Sequence, residues 1–574
     1  MLRTIVSLIF LPFRILLQFW RMLIYRFRKG DHFFLEVPST FSYERKSLFV
    51  RMLVSKDESP FFIDFLLGLR TLSLVPGLKK VSFLFEAPEY GFGEAWNLCK
   101  SIQALNEKGI VTAGFSLGGG TKSLLLLSYC KERYASSASE FFPTLPSAEP
   151  YFFGETAKKA GVGVETYASG AFKSFGETFQ RSSFSAPAKK NLENLLKDQN
   201  EFLKKAFLET SGLPLSVLEE PIISSEALHK VKFLTDLLEE DEFQDNYLYE
   251  GYIREEEAEK SGTPNYRRFT AKGLRLYSRL QQFNIVSKSL PILAILPIQG
   301  NILPDLGREE EFRSRQVSYR YYQSLLKELK DDPKVGAVVL EMNSPGGSAL
   351  VSELLYREIR KLAEKKPVFT YVLNVAASGG YYLACGTEEI HATPYSVVGS
   401  IGAVMLRFDL KGLYNKLGIK KERISFYPYR DILSEYGKLG AKSSAFLKKE
   451  VSRSRDLFYS RVTEARKTTN AELESKWGEG RIFLGQTFLK AGFLDSCSSF
   501  LELLERIKEK LNLSKVDVRY LPGTYTWKDL IQEMKPSLSF TALDHFGLPT
   551  ESKKLLKKQE ILFFSETASE ISRN

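Results

Sequence analysis

The feature that most constrains this chain is a pattern that occurs twice. In the clearer copy, ILAILPIQGNIL (292–303) and VGAVVLEMN (335–343) are continuous apolar runs, and the second ends in the turn SPGG (344–347). SALVSELLYREIRKLAEKK follows, with Leu350, Val351, Leu354, Leu355, Ile359 and Leu362 at helical spacing. Pro367 closes that helix, PVFTYVLNVA reads as the next strand, a further helix starts at Ser378, and EEIHATPYSVVGSIGAVM (388–405) returns to sheet. Apolar strands without polar alternation are buried on both faces, and their alternation with helices predicts βα units around a mostly parallel sheet.

The other copy repeats the order with weaker punctuation. KKVSFLFEAPEYGFGEAWNLCKSIQALNEKGIVTAGFS (79–116) parallels 335–374, with ALNEKGIV against LAEKKPVF. GGGTKSLLLLS (118–128) falls where ASGGYYLACG falls, so that Gly119 or Gly120 stands in place of Ser378. YASGAFKSFGETF (167–179) parallels SFYPYRDILSEY (425–436), setting Lys173 against Arg430, and each is followed by a polar helical stretch, 187–209 and 441–466. A chain of 574 residues exceeds one ordinary core. The expected divisions are a hydrophobic segment at 1–30, a first repeat at 31–235, an acidic helical connector at 236–288, a second repeat at 289–530 and a polar tail at 531–574.

The duplication bears on chemistry because the two copies have lost different groups. Ser378, in NVAASGGYYLACG (374–386), is either a nucleophile or a residue in a tight strand–helix turn. A serine hydroxyl is a weak nucleophile without a base in reach. His391 falls in a predicted strand and is expected to be structural. A lysine can serve if burial keeps its amine neutral, well below the ordinary pKa of about 10.4, whereas arginine stays protonated. That excludes Arg430 as the base and leaves Lys173. SPGG and SGG place Gly346 and Gly379 at the carboxyl ends of neighbouring strands, where their N–H groups could face a developing oxyanion, or could simply belong to turns.

Composition narrows the partners. The net charge is +11, yet no nucleic-acid motif and no basic stripe stand out beyond the N-terminus, so an anionic membrane surface is the expected partner and nucleic acid is not. TIVSLIFLPFRILLQFWRMLIY (4–25) is long enough to span a bilayer, but Arg14 and Arg21 interrupt it, and a helix lying in the interface fits equally. No small-residue cleavage site follows it. Arg26, Arg28 and Lys29 behind it favour the cytoplasmic side. Cys99, Cys130, Cys385 and Cys497 have no metal-type spacing, and His32, His229, His391 and His545 are widely separated, so no metal is expected.

VLEMNSPGGSALVSELL, NVAASGGYYLACG and VVGSIGAVM together resemble the signal peptide peptidase A family, also called protease IV, with family-like spacing across 290–470. The tandem arrangement resembles the long bacterial form over roughly residues 60–530. The resemblance implies two crotonase/ClpP-like α/β repeats and a membrane-associated serine endopeptidase that cuts remnant signal peptides and uses no cofactor. It carries the nucleophile onto Ser378, the base onto Lys173 through SGAFKSFGETF, and a lysine-orienting serine onto Ser400 through VVGSIG. It also implies a homotetrameric bowl at the bacterial cytoplasmic membrane, with the catalytic region on the extracytoplasmic side. A crotonase-type enzyme acting on acyl thioesters and an inactive membrane scaffold binding apolar peptides are the alternatives. The split itself, serine in one copy and lysine in the other, favours the peptidase.

Overall fold

Two parallel sheets carry the molecule, one from each half of the chain. The computed structural model describes residues 32–43, 60–75, 77–214, 216–248, 290–304 and 316–521, with Leu16 and two further strands at 266–269 and 561–564. The first half contributes β1 (His32–Val37), β2 (Lys80–Phe85), β3 (Val111–Ser116), β4 (Gly118–Gly120), β5 (Glu132–Ala135), β6 (Glu140–Phe142), β7 (Gly163–Ala168), β8 (Ile223–Ser224), β9 (Asp236–Leu237) and β10 (Tyr266–Phe269). Six of these form an all-parallel sheet in the order β10-β1-β2-β3-β5-β9. Helices α1 (Phe62–Leu72), α2 (Phe92–Glu107), α3 (Thr121–Tyr129) and α4 (Ala186–Ser211) belong to this half.

The second half contributes β11 (Ile292–Gln299), β12 (Val335–Ser344), β13 (Gly346–Ser348), β14 (Val368–Ala377), β15 (Glu389–Ala392), β16 (Val397–Gly399), β17 (Val404–Asp409), β18 (Ile482–Leu484), β19 (Ser496–Cys497), β20 (Asp517–Tyr520) and β21 (Ile561–Phe564). Its main sheet runs β18-β16-β14-β12-β11-β20, with β15 beside β14, and is parallel except at the β16–β18 edge. Every residue of β14 is buried, as an unbroken apolar run in a doubly covered sheet requires. Helices α5 (Tyr319–Asp331), α6 (Ala349–Ala363), α7 (Gly379–Ala384), α8 (Ala441–Ala465) and α9 (Phe500–Lys510) are among those of this half. Ser348 caps α6, its side chain accepting from the Val351 N–H. The buried stripe of α6 is Val351, Leu355, Ile359 and Leu362, while Leu350 is 63% exposed because it sits a residue off that stripe.

Two features hold the halves together near the future site. Helix α2 packs on β14 through Asn374, whose side chain accepts from Gly93 N–H at 2.9 Å and donates to Glu94 Oε2 at 2.8 Å. An antiparallel sheet, β13-β21-β17-β7, joins a strand of the first half to strands of the second. The stretch expected to be an acidic helical connector contains β9 and β10, the two edge strands of the first sheet, besides a helix at Glu240–Leu248. Edge strands this short are made by backbone pairing and leave no apolar run to read. Part of the expected polar tail, β21, is likewise a strand. Among the described residues no helix is long and apolar enough to cross a membrane; the hydrophobic segment at 4–25 lies outside them apart from Leu16.

Candidate active site

The site begins where β14 runs out. Ser378 follows its last residue and has φ +55° and ψ −118°, a backbone state that costs a non-glycine residue energy and persists only where the surroundings impose it. The surroundings do so from both sides: Ser378 N–H donates to Gly399 O at 2.8 Å and Ser378 O accepts from Tyr382 N–H at 2.9 Å, the first bond of α7. The following glycines are demanded by crowding. A Cβ on Gly379 would lie 2.6 Å from Ser352 Oγ and 3.2 Å from Gly346 Cα, and one on Gly380 would lie 2.5 Å from Ser344 O. The SPGG and SGG turns are therefore in contact. Gly379 is the first residue of α7, where a backbone N–H has no acceptor within the helix. The Gly346 N–H points back to Ser344 Oγ at 3.2 Å.

Lys173 reaches this point from the other half. It lies on the loop after β7, whose end is stitched to the start of β17: Ser169 N–H donates to Ala403 O at 2.9 Å and Ser169 Oγ accepts from Ala403 N–H at 2.8 Å. Lys173 Nζ is 2.6 Å from Ser378 Oγ, 2.8 Å from Ser400 O and 2.9 Å from Ser400 Oγ. All three partners are neutral oxygens. Ser378 is 0% and Lys173 3% exposed. Burial without a compensating carboxylate holds the Lys173 amine well below the usual lysine range. Ser400 is a second serine at positive φ, +53°, fixed by its N–H to Arg481 O at 2.6 Å.

The turn 478–481 is a part of the site that the sequence reading did not single out. Phe172 N–H donates to Glu479 O at 3.0 Å and Gly480 N–H to Ile401 O at 2.9 Å, so this turn braces the lysine loop and the Ser400 loop at once. Gly480 has φ +89°, and a Cβ there would sit 2.6 Å from Lys173 N. The Arg481 guanidinium lies 4.0 Å from the centre of the Phe172 ring. The only signal available was the Gly-x-Gly of GEGRIF (478–483), which resembles any turn.

Other candidates lie elsewhere. Arg430 is exposed and donates to Ser425 O. His391 is buried in β15, with its ring nitrogens 2.6 Å from Ser496 Oγ and 2.9 Å from Glu389 Oε2. Cys99, Cys130 and Cys385 are buried free thiols and Cys497 a half-buried one. Among the described residues no three His, Cys, Asp or Glu side chains are grouped to hold a metal ion.

Residues 360–514 match the model of peptidase family S49. The chain is 25% identical over 429 residues to the chloroplastic serine protease SPPA of Arabidopsis thaliana, a match covering 74% of this chain and 62% of that one. It is 25% identical over 462 residues to Protease 4 of Haemophilus influenzae, covering 76% and 72%, and 29% identical over 225 residues to a putative signal peptide peptidase SppA of Enterococcus faecium, covering 39% and 64%. The chain thus spans less than two thirds of the chloroplast and Enterococcus relatives. Among solved structures, the 1510-N membrane-bound stomatin-specific protease in complex with a substrate peptide is 18% identical, with a TM-score of 0.27, covering 43% of this chain and 98% of that one.

Proposed function

The chain belongs to the signal peptide peptidase A family, peptidase family S49, and we propose that it is a serine endopeptidase in which Ser378 is the nucleophile and Lys173 the general base. The observation that carries this reading is the 2.6 Å approach of a buried, uncompensated amine to a strained serine. A neutral amine has two N–H donors and one lone pair. Donation to Ser400 O and Ser400 Oγ uses both donors and leaves the lone pair for the Ser378 hydroxyl proton. Ser400 is then the group that orients the lysine.

In the reaction, Ser378 Oγ attacks the scissile carbonyl carbon as its proton passes to Lys173 Nζ. The carbonyl oxygen becomes an oxyanion beside the SPGG and SGG turns, where the proposed donors are the Gly379 N–H and, by exchanging its bond to Ser344 Oγ, the Gly346 N–H. Collapse breaks the C–N bond, and the Lys173 ammonium returns its proton to the leaving amine. Water, deprotonated by the same amine, then attacks the acyl-serine ester, releases the acid and restores Ser378. Each group comes from a different segment, so the site needs both halves.

The finer reading follows the family. The two sheets are tandem crotonase/ClpP-like repeats, the segment 1–30 attaches the protein to a bacterial cytoplasmic membrane with the catalytic region extracytoplasmic, the assembly is a homotetramer, and the substrates are apolar peptides of the kind signal-peptide cleavage leaves behind. The test is hydrolysis of a fluorogenic apolar peptide by the parent, Ser378→Ala and Lys173→Ala proteins. Loss of about 10³-fold or more in both variants, with a cooperative thermal transition retained in each, is expected. Undiminished turnover by Ser378→Ala would overturn the assignment.

A further inference from the structure

A second cluster of hydroxyl, imidazole and carboxylate lies outside the candidate active site. Glu389 and His391 are two residues apart on β15, and a strand's period of two puts them on one face. β19 runs parallel to β15, with Ser496 the register partner of His391. The three side chains form a row. Ser496 Oγ lies 2.6 Å from His391 Nδ1, and His391 Nε2 lies 2.9 Å from Glu389 Oε2. A carboxylate only accepts, so Nε2 carries the imidazole proton and Nδ1 presents its lone pair to the Ser496 hydroxyl. Ser498 Oγ, 3.2 Å from Ser496 Oγ, supplies a donor on the other side.

Two cations of α9 fix the charge of the row. Arg506 Nε binds Glu389 Oε2 at 2.9 Å and Lys510 Nζ binds Glu389 Oε1 at 2.7 Å. Burial alone would raise the Glu389 carboxyl, but these hydrogen bonds hold it at about 2. His391 is 0% exposed, and burial, opposed by Glu389, lowers its imidazole below the usual range. The imidazole is thus mostly neutral near pH 7 and held in one tautomer by a permanent anion. Ser496 is half-buried, whereas Ser378 is fully buried. A hydroxyl within reach of a neutral base, itself oriented by a third group, is the arrangement that makes a serine nucleophilic.

We propose that Ser496, His391 and Glu389 form a second nucleophilic site, independent of Lys173, which takes acyl groups from activated carboxylic esters. The half-burial of Ser496 restricts the acyl group to a small one. Ser496 Oγ attacks the ester carbonyl carbon, and its proton passes to His391 Nδ1. The bond from that carbon to the alcohol oxygen breaks, and the alcohol leaves with the proton. Water, deprotonated by His391, then cleaves the acyl-serine to the free acid and restores Ser496. Glu389 acts through the imidazole and is a positioning residue.

The probe is p-nitrophenyl acetate, given to the full chain carrying Ser378→Ala so that the proposed peptidase serine is silent. Acetylation is mapped by mass spectrometry, and its rate at Ser496 is followed against pH. Adding His391→Gln should slow it about a hundredfold, and Glu389→Gln about tenfold. Without those additions the rate should climb to a plateau with a midpoint below 6.5, as the imidazolium loses its proton. The charged and titratable groups around His391 are Glu389, Asp495, Arg506 and Lys510, with Tyr371 beside it on β14. Glu389→Gln removes an anion that favours the imidazolium, so the midpoint should fall further. A row that merely fastens β19 to β15 would give neither the limb nor its shift. The proposal is overturned by no acetyl group at Ser496, by a rate proportional to hydroxide with no plateau, by an undiminished rate in His391→Gln, or by coincident pH profiles with and without Glu389→Gln. If His391→Gln does not fold, the limb and its shift decide the matter.

Discussion

At the scale of the residue, the proposed chemistry turns on the charge of Lys173. Lys173→Arg keeps the positive charge and most of the length but cannot release a proton, so it should be nearly as damaging as Lys173→Ala, about 10²–10⁴-fold in kcat/KM. An active arginine variant would remove Lys173 from the base role. Since burial lowers the folded-state pKa, kcat/KM should rise with pH along a limb whose midpoint lies well below 10.4. Stability follows with the same sign: the unfolded chain holds this proton up to about 10.4 and the folded chain does not, so stability increases as pH rises between the depressed value and 10.4. Gly480 tests the support. Gly480→Ala puts a methyl group against the Lys173 backbone at a positive φ, and should lower kcat by about tenfold or more with KM little changed. Loss of KM alone would point to a substrate contact instead. Ser378 and Lys173 could be singled out in the sequence because NVAASGGYY and SGAFKSFGETF resemble family segments and because Arg430, the counterpart of Lys173, cannot act as a base. Gly480 could not, because what it supplies is the absence of a side chain.

At the scale of the element, one of the two tightest backbone approaches that bear on the site is between α2 and β14, the other being Gly347 against Ile302 O. A Cβ on Gly93 would fall 1.9 Å from Leu373 O, backbone against backbone, with no flexible side chain to yield. Gly93→Ala should therefore separate the helix from the strand that carries Ser378, break the Asn374 bonds to Gly93 and Glu94, and cost about 3 kcal/mol or more. Gly109→Ala is the control: nothing lies within 4 Å, so only its φ of +80° is penalised, at about 1–2 kcal/mol. Denaturant titration of the two variants distinguishes them, and equal losses would refute the tight docking of α2. The strands β11, β12 and β14 were legible as continuous apolar runs, and α6 as a periodic one. The strands β9, β10 and β21 were not, because their places are set by a neighbour's unpaired edge and not by their own composition.

At the scale of the whole molecule, the sequence pattern predicts two α/β halves, and two parallel sheets are present, but it does not show how they are fastened, since a fastening made of buried polar groups has no periodicity. One fastening carries a titration. Glu341 on β12 is 0% exposed; one oxygen accepts from Tyr520 Oη at 2.5 Å, and the other has no hydrogen-bond partner among the described residues. The Tyr520 ring meets Phe61 of the first half edge-on at 4.1 Å, so this carboxyl lies under the seam. Burial, opposed by the tyrosine hydrogen bond and reinforced by the nearby Glu94, raises its pKa to about 7 from 4.5. A raised acid pKa means the folded chain holds a proton that the unfolded chain has released. Stability from this group is thus complete below 4.5, declines as pH rises from 4.5 to 7, and changes no further above that. The decline amounts to about 3 kcal/mol. Glu94, also raised by burial, contributes in the same direction. Glu341→Gln keeps the shape and removes the proton exchange, so urea unfolding should show a smaller loss of stability between pH 5 and pH 8 than in the parent, with the two proteins diverging most near pH 8. Parallel pH curves for parent and variant would mean that Glu341 titrates normally and that water reaches the seam between the halves.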